Sequence, residues 1–96
     1  MDDRVYLTIL YDYYSELLTD KQKSYFEDYY FNNFSLSEIS ENENISRNAI
    51  HKQLKETVMK LENYEKRLKL YQKRKDIEKL LENLDDNLKE KIKELI

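Results

Sequence analysis

Five polar side chains between positions 47 and 55 recur at spacings of one and three: Arg47, Asn48, His51, Lys52 and Lys55. On a helix those spacings gather them on one side. An arginine fork matches guanine edges or phosphate, an asparagine amide matches adenine edges, and lysines meet phosphate. The set has the chemistry to contact duplex nucleic acid. Lys21 and Lys23, at the start of another candidate helix, add phosphate contacts beside that helix's N-terminus. The plain alternative is a solvated helix face carrying ordinary bases.

Other chemistry lacks its parts. The chain has one histidine and no cysteine, so no His/Cys metal cluster and no Cys–His pair can form. A Ser–His–Asp arrangement would need His51, which falls on the exposed face. The carboxylates are spread at helix-surface spacing, not converged on a pocket. Without glycine there is no phosphate-binding loop. The chain is therefore expected to be no enzyme and to carry no cofactor or metal. Nine tyrosines invite base stacking on single-stranded RNA. Their helical spacing assigns them instead to core and interface, where a ring is buried while its hydroxyl stays wet.

Ninety-six residues make one small domain, or a domain with an extension. Lys, Glu, Leu and Asn dominate, and the lack of Gly and Pro leaves β-hairpin turns poorly served. Both point to an all-α fold. The longest apolar runs are a few residues, so neither membrane insertion nor a signal peptide is expected. The absence of cysteine fits a cytoplasmic location. The net charge of −3 conceals an asymmetry. Residues 1–46 carry three bases against ten acids, −7; residues 47–96 carry fourteen bases against ten acids, +4. The change of sign falls beside the candidate site.

The elements that must position the site follow from periodicity and caps. A first helix is predicted over about 3–18, with Leu7, Leu10, Tyr11, Tyr14, Leu17 and Leu18 on one face and Tyr6, Ile9 and Tyr13 as a second stripe. Thr19 opens a second helix to about residue 32, with Gln22 completing a capping box and Asn32-Asn33 ending it. Ser35 and Glu38 form another capping box for a short third helix to about 42, with Phe34 and Ile39 at staple spacing. Ser46 caps a fourth helix, with Ile45 and Ile50 as its staple. The stripe Ile50, Leu54, Val58, Leu61, Tyr64, Leu68, Tyr71 carries that helix to about residue 72, roughly 39 Å. Residues 72–76 hold no apolar side chain, which predicts a bend, a loop or a coiled-coil stutter. A second series, from Ile77 to Leu95, follows, and Asp85 can cap a last helix over 86–96. The organisation is thus a unit over 1–72 and a helical C-terminal extension over 73–96.

Between positions 35 and 54, two caps, two staples, a short helix, a tight corner and a longer helix spell a helix-turn-helix. Leu36 and Ile39 face inward from the first helix, and Ala49, Ile50 and Leu54 from the second. Ser40 is small where the helices approach. Asn44 takes the corner where glycine is common, at a cost of about 1 kcal/mol. Generic helical hairpins share part of this pattern.

The stretch 17–71 resembles the YlxM-like family of helix-turn-helix proteins. The likeness rests on Leu18 to Gln22, the tyrosine-rich Tyr25 to Tyr30, Ser35 to Ser40, Ile45 to Ile50, and Tyr64 to Tyr71. The resemblance implies a sigma-region-4-like helix-turn-helix bundle with a long fourth helix and no catalytic activity. It also implies a regulatory role in the signal recognition particle pathway. Three positions depart from the family pattern: Ser40 for alanine, His51 for tyrosine, and Glu43 where a large apolar residue plugs the corner. The last implies a loosely packed turn.

The expected partners are duplex DNA, or a protein or RNA component of the signal recognition particle, or neither if the chain is a helical adaptor. A homodimer is also expected. Leu61, Tyr64, Leu68 and Tyr71 run beyond a compact bundle, and Tyr6, Ile9 and Tyr13 have no assigned neighbour, so these two stripes form the predicted dimer interface.

Overall fold

The structure, a computed structural model, describes residues 3–96. Among them lie six α-helices and no strand. The helices are α1 (Arg4–Tyr14), α2 (Asp20–Phe26), α3 (Leu36–Glu43), α4 (Arg47–Leu68), α5 (Leu70–Leu81) and α6 (Asp86–Lys93). A 3-10 turn, Ser15–Leu17, follows α1, and α2 widens into a π turn, Glu27–Phe31. The molecule measures 54 × 24 × 24 Å.

Local chemistry starts each of the first four helices and the last. The Thr19 hydroxyl accepts from the Gln22 N–H at 3.1 Å while the Gln22 amide oxygen accepts from the Thr19 N–H at 3.1 Å. Ser35 and Glu38 exchange the same pair of bonds at 3.0 Å each. Asp3, Ser46 and Asp85 accept from Tyr6, Ala49 and Leu88 respectively. These bonds satisfy amides that the first turn of a helix leaves free.

The core forms two clusters sharing α4. In one, Leu7, Leu10, Tyr11 and Tyr14 of α1 pack with Leu18, Phe26, Val58 and Leu61. Tyr11 and Tyr30 stack on Phe26 at 4.5 and 4.4 Å, and the Tyr11 hydroxyl donates to Glu27. In the other, Tyr25, Ile39, Ile50 and Leu54 join α2, α3 and the start of α4. The bonding between α2 and α4 is also polar: the buried Gln22 amide oxygen accepts from the Lys60 ammonium at 3.1 Å.

Three helix ends differ from the periodicity. The last helix, expected to reach residue 96, stops at Lys93. α1 stops at Tyr14, and the 3-10 turn swings Leu17 out to 51 % exposure so that Leu18 can be buried. The largest difference is in the fourth helix, predicted to reach residue 72. It ends at Leu68, Lys69 takes a left-handed conformation (φ 57°), and α5 starts at once. α5 then runs unbroken through residues 72–76, so the change of direction lies at Lys69, not in that apolar-free stretch.

Glu65 accounts for the break. Its carboxylate is 8 % exposed. It accepts from the Tyr14 hydroxyl at 2.6 Å and from the Tyr71 and Gln72 N–H groups at 3.1 Å each. The Leu70 N–H donates to the Tyr14 hydroxyl, also at 3.1 Å. The first three amides of α5 thus end on one buried carboxylate and its tyrosine. The turn lays α5 across α1, where Tyr71 sits between Tyr6 (6.0 Å) and Tyr13 (6.2 Å), with the Lys75 ammonium over its ring at 4.6 Å.

Replacing Glu65 with alanine is expected to cost about 2–3 kcal/mol, since it strands buried donors of charge-assisted bonds. Urea unfolding measures the loss, and hydrogen exchange should show it first at the amides of Leu70, Tyr71 and Gln72.

A pH dependence follows from the buried phenols. Burial, then the bond to Glu65, pushes Tyr14 up to about 12 from an ordinary 10.0, against a smaller lowering by the Leu70 amide. Tyr11 is raised further, first by burial and then by its bond to Glu27. Between those values the unfolded chain has lost protons that the folded chain keeps, so deprotonation favours unfolding. The stabilising contribution of Tyr14 is complete below pH 10.0 and disappears as pH rises toward about 12. Urea midpoints followed across that window should fall, and fall less steeply in Tyr14→Phe.

Candidate nucleic-acid interface

The corner between α3 and α4 is set by hydrogen bonds more than by an apolar plug. Asn44 adopts φ 55° and ψ 42°. The Ile45 N–H donates to the Ser40 carbonyl at 3.1 Å and the Asn44 N–H to the Glu41 carbonyl at 3.4 Å, the paired bonds of a Schellman ending. The Ser40 hydroxyl donates to the Ile45 carbonyl, a bond that alanine at this position cannot make. Beneath the corner, Ile39 and Ile50 are fully buried, with Leu36, Phe34 and Ile45 around them. Ala49 is half-buried. Glu43, read from the family pattern as a weakened plug, points to water. Ile45 closes the corner in its place.

α4 then presents its first turns to solvent. Arg47, Asn48, His51, Lys52 and Lys55 are all exposed, and α4 has no acid in its first turn. The positive end of the helix dipole adds to Arg47 there. Helical phase from the Ser46 cap brings the five onto one face. The two lysines of α2 are divided. Lys21 lines an open hollow between the α2 N-terminus and the Ala49–Gln53 side of α4. Lys23 stands about 200° further round α2, is half-buried, and does not line it.

On the other flank of α4 lies a groove of about 570 Å³, whose walls include His51, Lys55, Met59, Tyr29, Tyr30 and Arg4. Arg4 lies outside the set of bases that the sequence singles out. Its guanidinium donates to the Tyr29 carbonyl at 2.9 Å and lies over the Tyr29 and Tyr30 rings at 5.2 and 4.8 Å. The only signal for it in the sequence is a lone base at the start of the first helix, among acids. The acids near the corner sit on α3, where Glu38, Glu41 and Glu43 are all exposed.

The stripes assigned to a dimer interface mostly pack within the chain. Leu61 is fully buried. Tyr64 is 5.9 Å from Tyr14 and donates to the Leu17 carbonyl at 3.4 Å. Tyr6, Tyr13 and Tyr71 pack on one another where α5 crosses α1, and Ile9 borders the same crossing. The turn at Lys69 supplies the neighbour that a continuous helix would have left missing. Only Leu68, 45 % exposed, keeps a largely open face. Among the described residues no group of His, Cys, Asp and Glu could hold a metal ion, and no helix is long and apolar enough to cross a membrane.

Six helices, a capped and stapled pair at a left-handed corner, and a second helix open to solvent define an all-α helix-turn-helix protein. The chain belongs to the UPF0122 family, whose model, "Putative helix-turn-helix protein, YlxM / p13 like", matches residues 1–96. It is 44 % identical over 97 residues to a UPF0122 protein of Fusobacterium nucleatum, covering 100 % of this chain and 94 % of that one. A UPF0122 protein of Caldanaerobacter subterraneus is 45 % identical over 85 residues, 88 % of this chain and 73 % of its own. One from Malacoplasma penetrans is 44 % identical over 91 residues, 92 % and 83 % of the two chains.

The corner yields a paired expectation. Glu43→Leu should change unfolding free energy by less than about 0.5 kcal/mol, as an exposed position does. Ser40→Ala should cost about 0.5–1 kcal/mol, the lost hydroxyl bond outweighing alanine's better helix propensity. Thermal or urea unfolding of the two variants, side by side, tests both.

Proposed function

We propose that this protein is a DNA-contacting regulator that reads duplex DNA with the exposed face of α4. One observation carries the reading. Arg47, Asn48, His51, Lys52 and Lys55 stand together in solvent on the helix that follows a helix-turn-helix corner, in a stretch free of acids. In that geometry the second helix enters the major groove with its N-terminal residues toward the bases. Arg47 and Asn48 are then the base-reading candidates, and Lys52 and Lys55 the phosphate contacts. Lys21 reaches phosphate from the flank, and Lys23 is a weaker contributor. A regulatory role in the signal recognition particle pathway, which the resemblance to YlxM-like proteins implies, is part of this proposal.

A second reading is favoured by α3. Its exposed Glu38, Glu41 and Glu43 would lie on the helix that crosses the DNA backbone, where like charge is costly. In that reading the helix-turn-helix is a scaffold for a protein or RNA component of the particle, and the basic face of α4 meets that partner.

Binding measured against salt separates the two. Arg47→Ala and Lys52→Ala should each weaken binding to duplex DNA and flatten the plot of log affinity against log salt by about one unit. Circular dichroism should be unchanged. Affinity unaltered in both variants would remove α4 as the reading surface. Tighter binding to the particle's RNA than to duplex DNA would favour the scaffold.

A further inference from the structure

The corner between α4 and α5 presents bases and leucines together. Lys66, Arg67, Leu68, Lys69 and Leu70 follow one another, and all are exposed. Lys73, also exposed, stands one turn into α5. From Asn63 to Lys75 the chain carries six bases, Lys66, Arg67, Lys69, Lys73, Arg74 and Lys75, against one acid. That acid is Glu65, buried and already bonded to Tyr14 and the α5 amides. Arg74 pairs with Glu78 at 2.9 Å, and the Lys75 ammonium lies over Tyr71. Among the described residues Lys66, Arg67, Lys69 and Lys73 enter no ion pair.

The fold has little use for this set. Lys66 and Arg67 suit the negative end of the α4 dipole. Lys69 and Lys73 stand at the positive end of α5, where a base is unfavourable. Lys69 also takes a left-handed conformation that glycine or asparagine enters with less strain. The leucines are equally unused: Leu68 is 45 % exposed and Leu70 43 %. Leu17, 51 % exposed, lies at the same end of the molecule. Its carbonyl accepts from the hydroxyl of Tyr64, which stands one helical turn before Leu68.

A phosphate backbone would match the bases and leave the leucines in water. A bilayer with anionic headgroups matches both, since bases meet the headgroups while apolar side chains enter the acyl boundary. A cluster of about four to eight bases is the size that such lipid contacts use. We infer that the α4–α5 corner adsorbs the protein to anionic lipid bilayers, with Leu68 and Leu70 in the interface and Lys66, Arg67, Lys69 and Lys73 on the headgroups. No helix among the described residues is long and apolar enough to cross a membrane, so the contact is adsorption to the surface. Lys66 lies about 28 Å along α4 from Arg47, so the corner is separate from the basic face at the start of that helix and does not depend on what that face binds.

Flotation of the full chain with lipid vesicles tests it. Vesicles of phosphatidylglycerol and phosphatidylcholine in about equal parts should carry the protein, and pure phosphatidylcholine should not. Lys66→Gln and Lys73→Gln should each weaken partitioning about fivefold. Leu68→Gln combined with Leu70→Gln should weaken it about tenfold at unchanged charge, and should leave binding to duplex DNA as it was. All four positions are exposed, so circular dichroism should not change. Arg47→Ala and Lys52→Ala should still float, which keeps this result distinct from DNA reading by α4. A chain that stays in the lipid-free fraction overturns the inference. So does equal flotation with pure phosphatidylcholine, or flotation lost in Arg47→Ala and Lys52→Ala but kept in the corner variants. Flotation indifferent to the leucine pair, with binding to duplex DNA or RNA lost in Lys66→Gln and Lys73→Gln, overturns it in favour of a nucleic-acid contact.

Discussion

A carboxylate taken out of water must be met by donors, or it destabilises the fold by several kcal/mol. Glu65 is met by three, one from Tyr14 and two from the amides that open α5. The arrangement has one geometry. The tyrosine must come from the end of α1, the amides must point back at α4, and the chain must reverse within one residue. Once those hold, α5 has to cross α1, and the Tyr6–Tyr71–Tyr13 cluster closes over the crossing. The angle between α1 and α4 is thereby locked from the far end. The same α4 that carries the exposed bases is anchored by a buried ion at its other terminus.

Among the described residues three positions turn left-handed without glycine: Asn33, Asn44 and Lys69. Asparagine enters that region at modest cost; lysine has no such excuse, and a side chain with Cβ loses roughly 1–2 kcal/mol there. The compensation scales with the cost. At Asn44 two backbone bonds and the Ser40 hydroxyl suffice. At Lys69 the Lys69 N–H bonds the Glu65 carbonyl at 2.9 Å, and the Glu65 side chain adds bonds that are individually stronger because one partner is charged. A strained residue persists where its surroundings over-determine it.

What could be read in advance was what is local. Helix caps are written within four residues, so the starts of α2, α3 and α4 were legible, and the phase of α4 from Ser46 placed Arg47, Asn48, His51, Lys52 and Lys55 on one face. The left-handed asparagines were legible too, because asparagine signals them. Glu65 was not. It stands in an ordinary run, Tyr64-Glu65-Lys66-Arg67, and its tyrosine lies 51 positions back. The stripe of Leu68 and Tyr71 keeps helical spacing through the break, so periodicity ran straight across Lys69. The division between Lys21 and Lys23 was hidden for the same reason: it depends on which side of α2 packs on α4, and no local pattern records that.

The sign asymmetry of the chain becomes a geometric constraint in the folded state. The acids of the first half reach the helix-turn-helix through α3, while the bases of the second half begin at α4. The two helices meet at a corner only three residues long, Asn44 to Ser46, so opposite potentials lie about a helix diameter apart. A polyanion approaching this surface is drawn to the α4 face and turned away from α3, and at physiological salt the screening length of roughly 8 Å is too short to blur the boundary. Orientation is therefore decided before contact by the same pair of helices that would make it. A partner with a basic patch feels the reverse field, and meets α3 first.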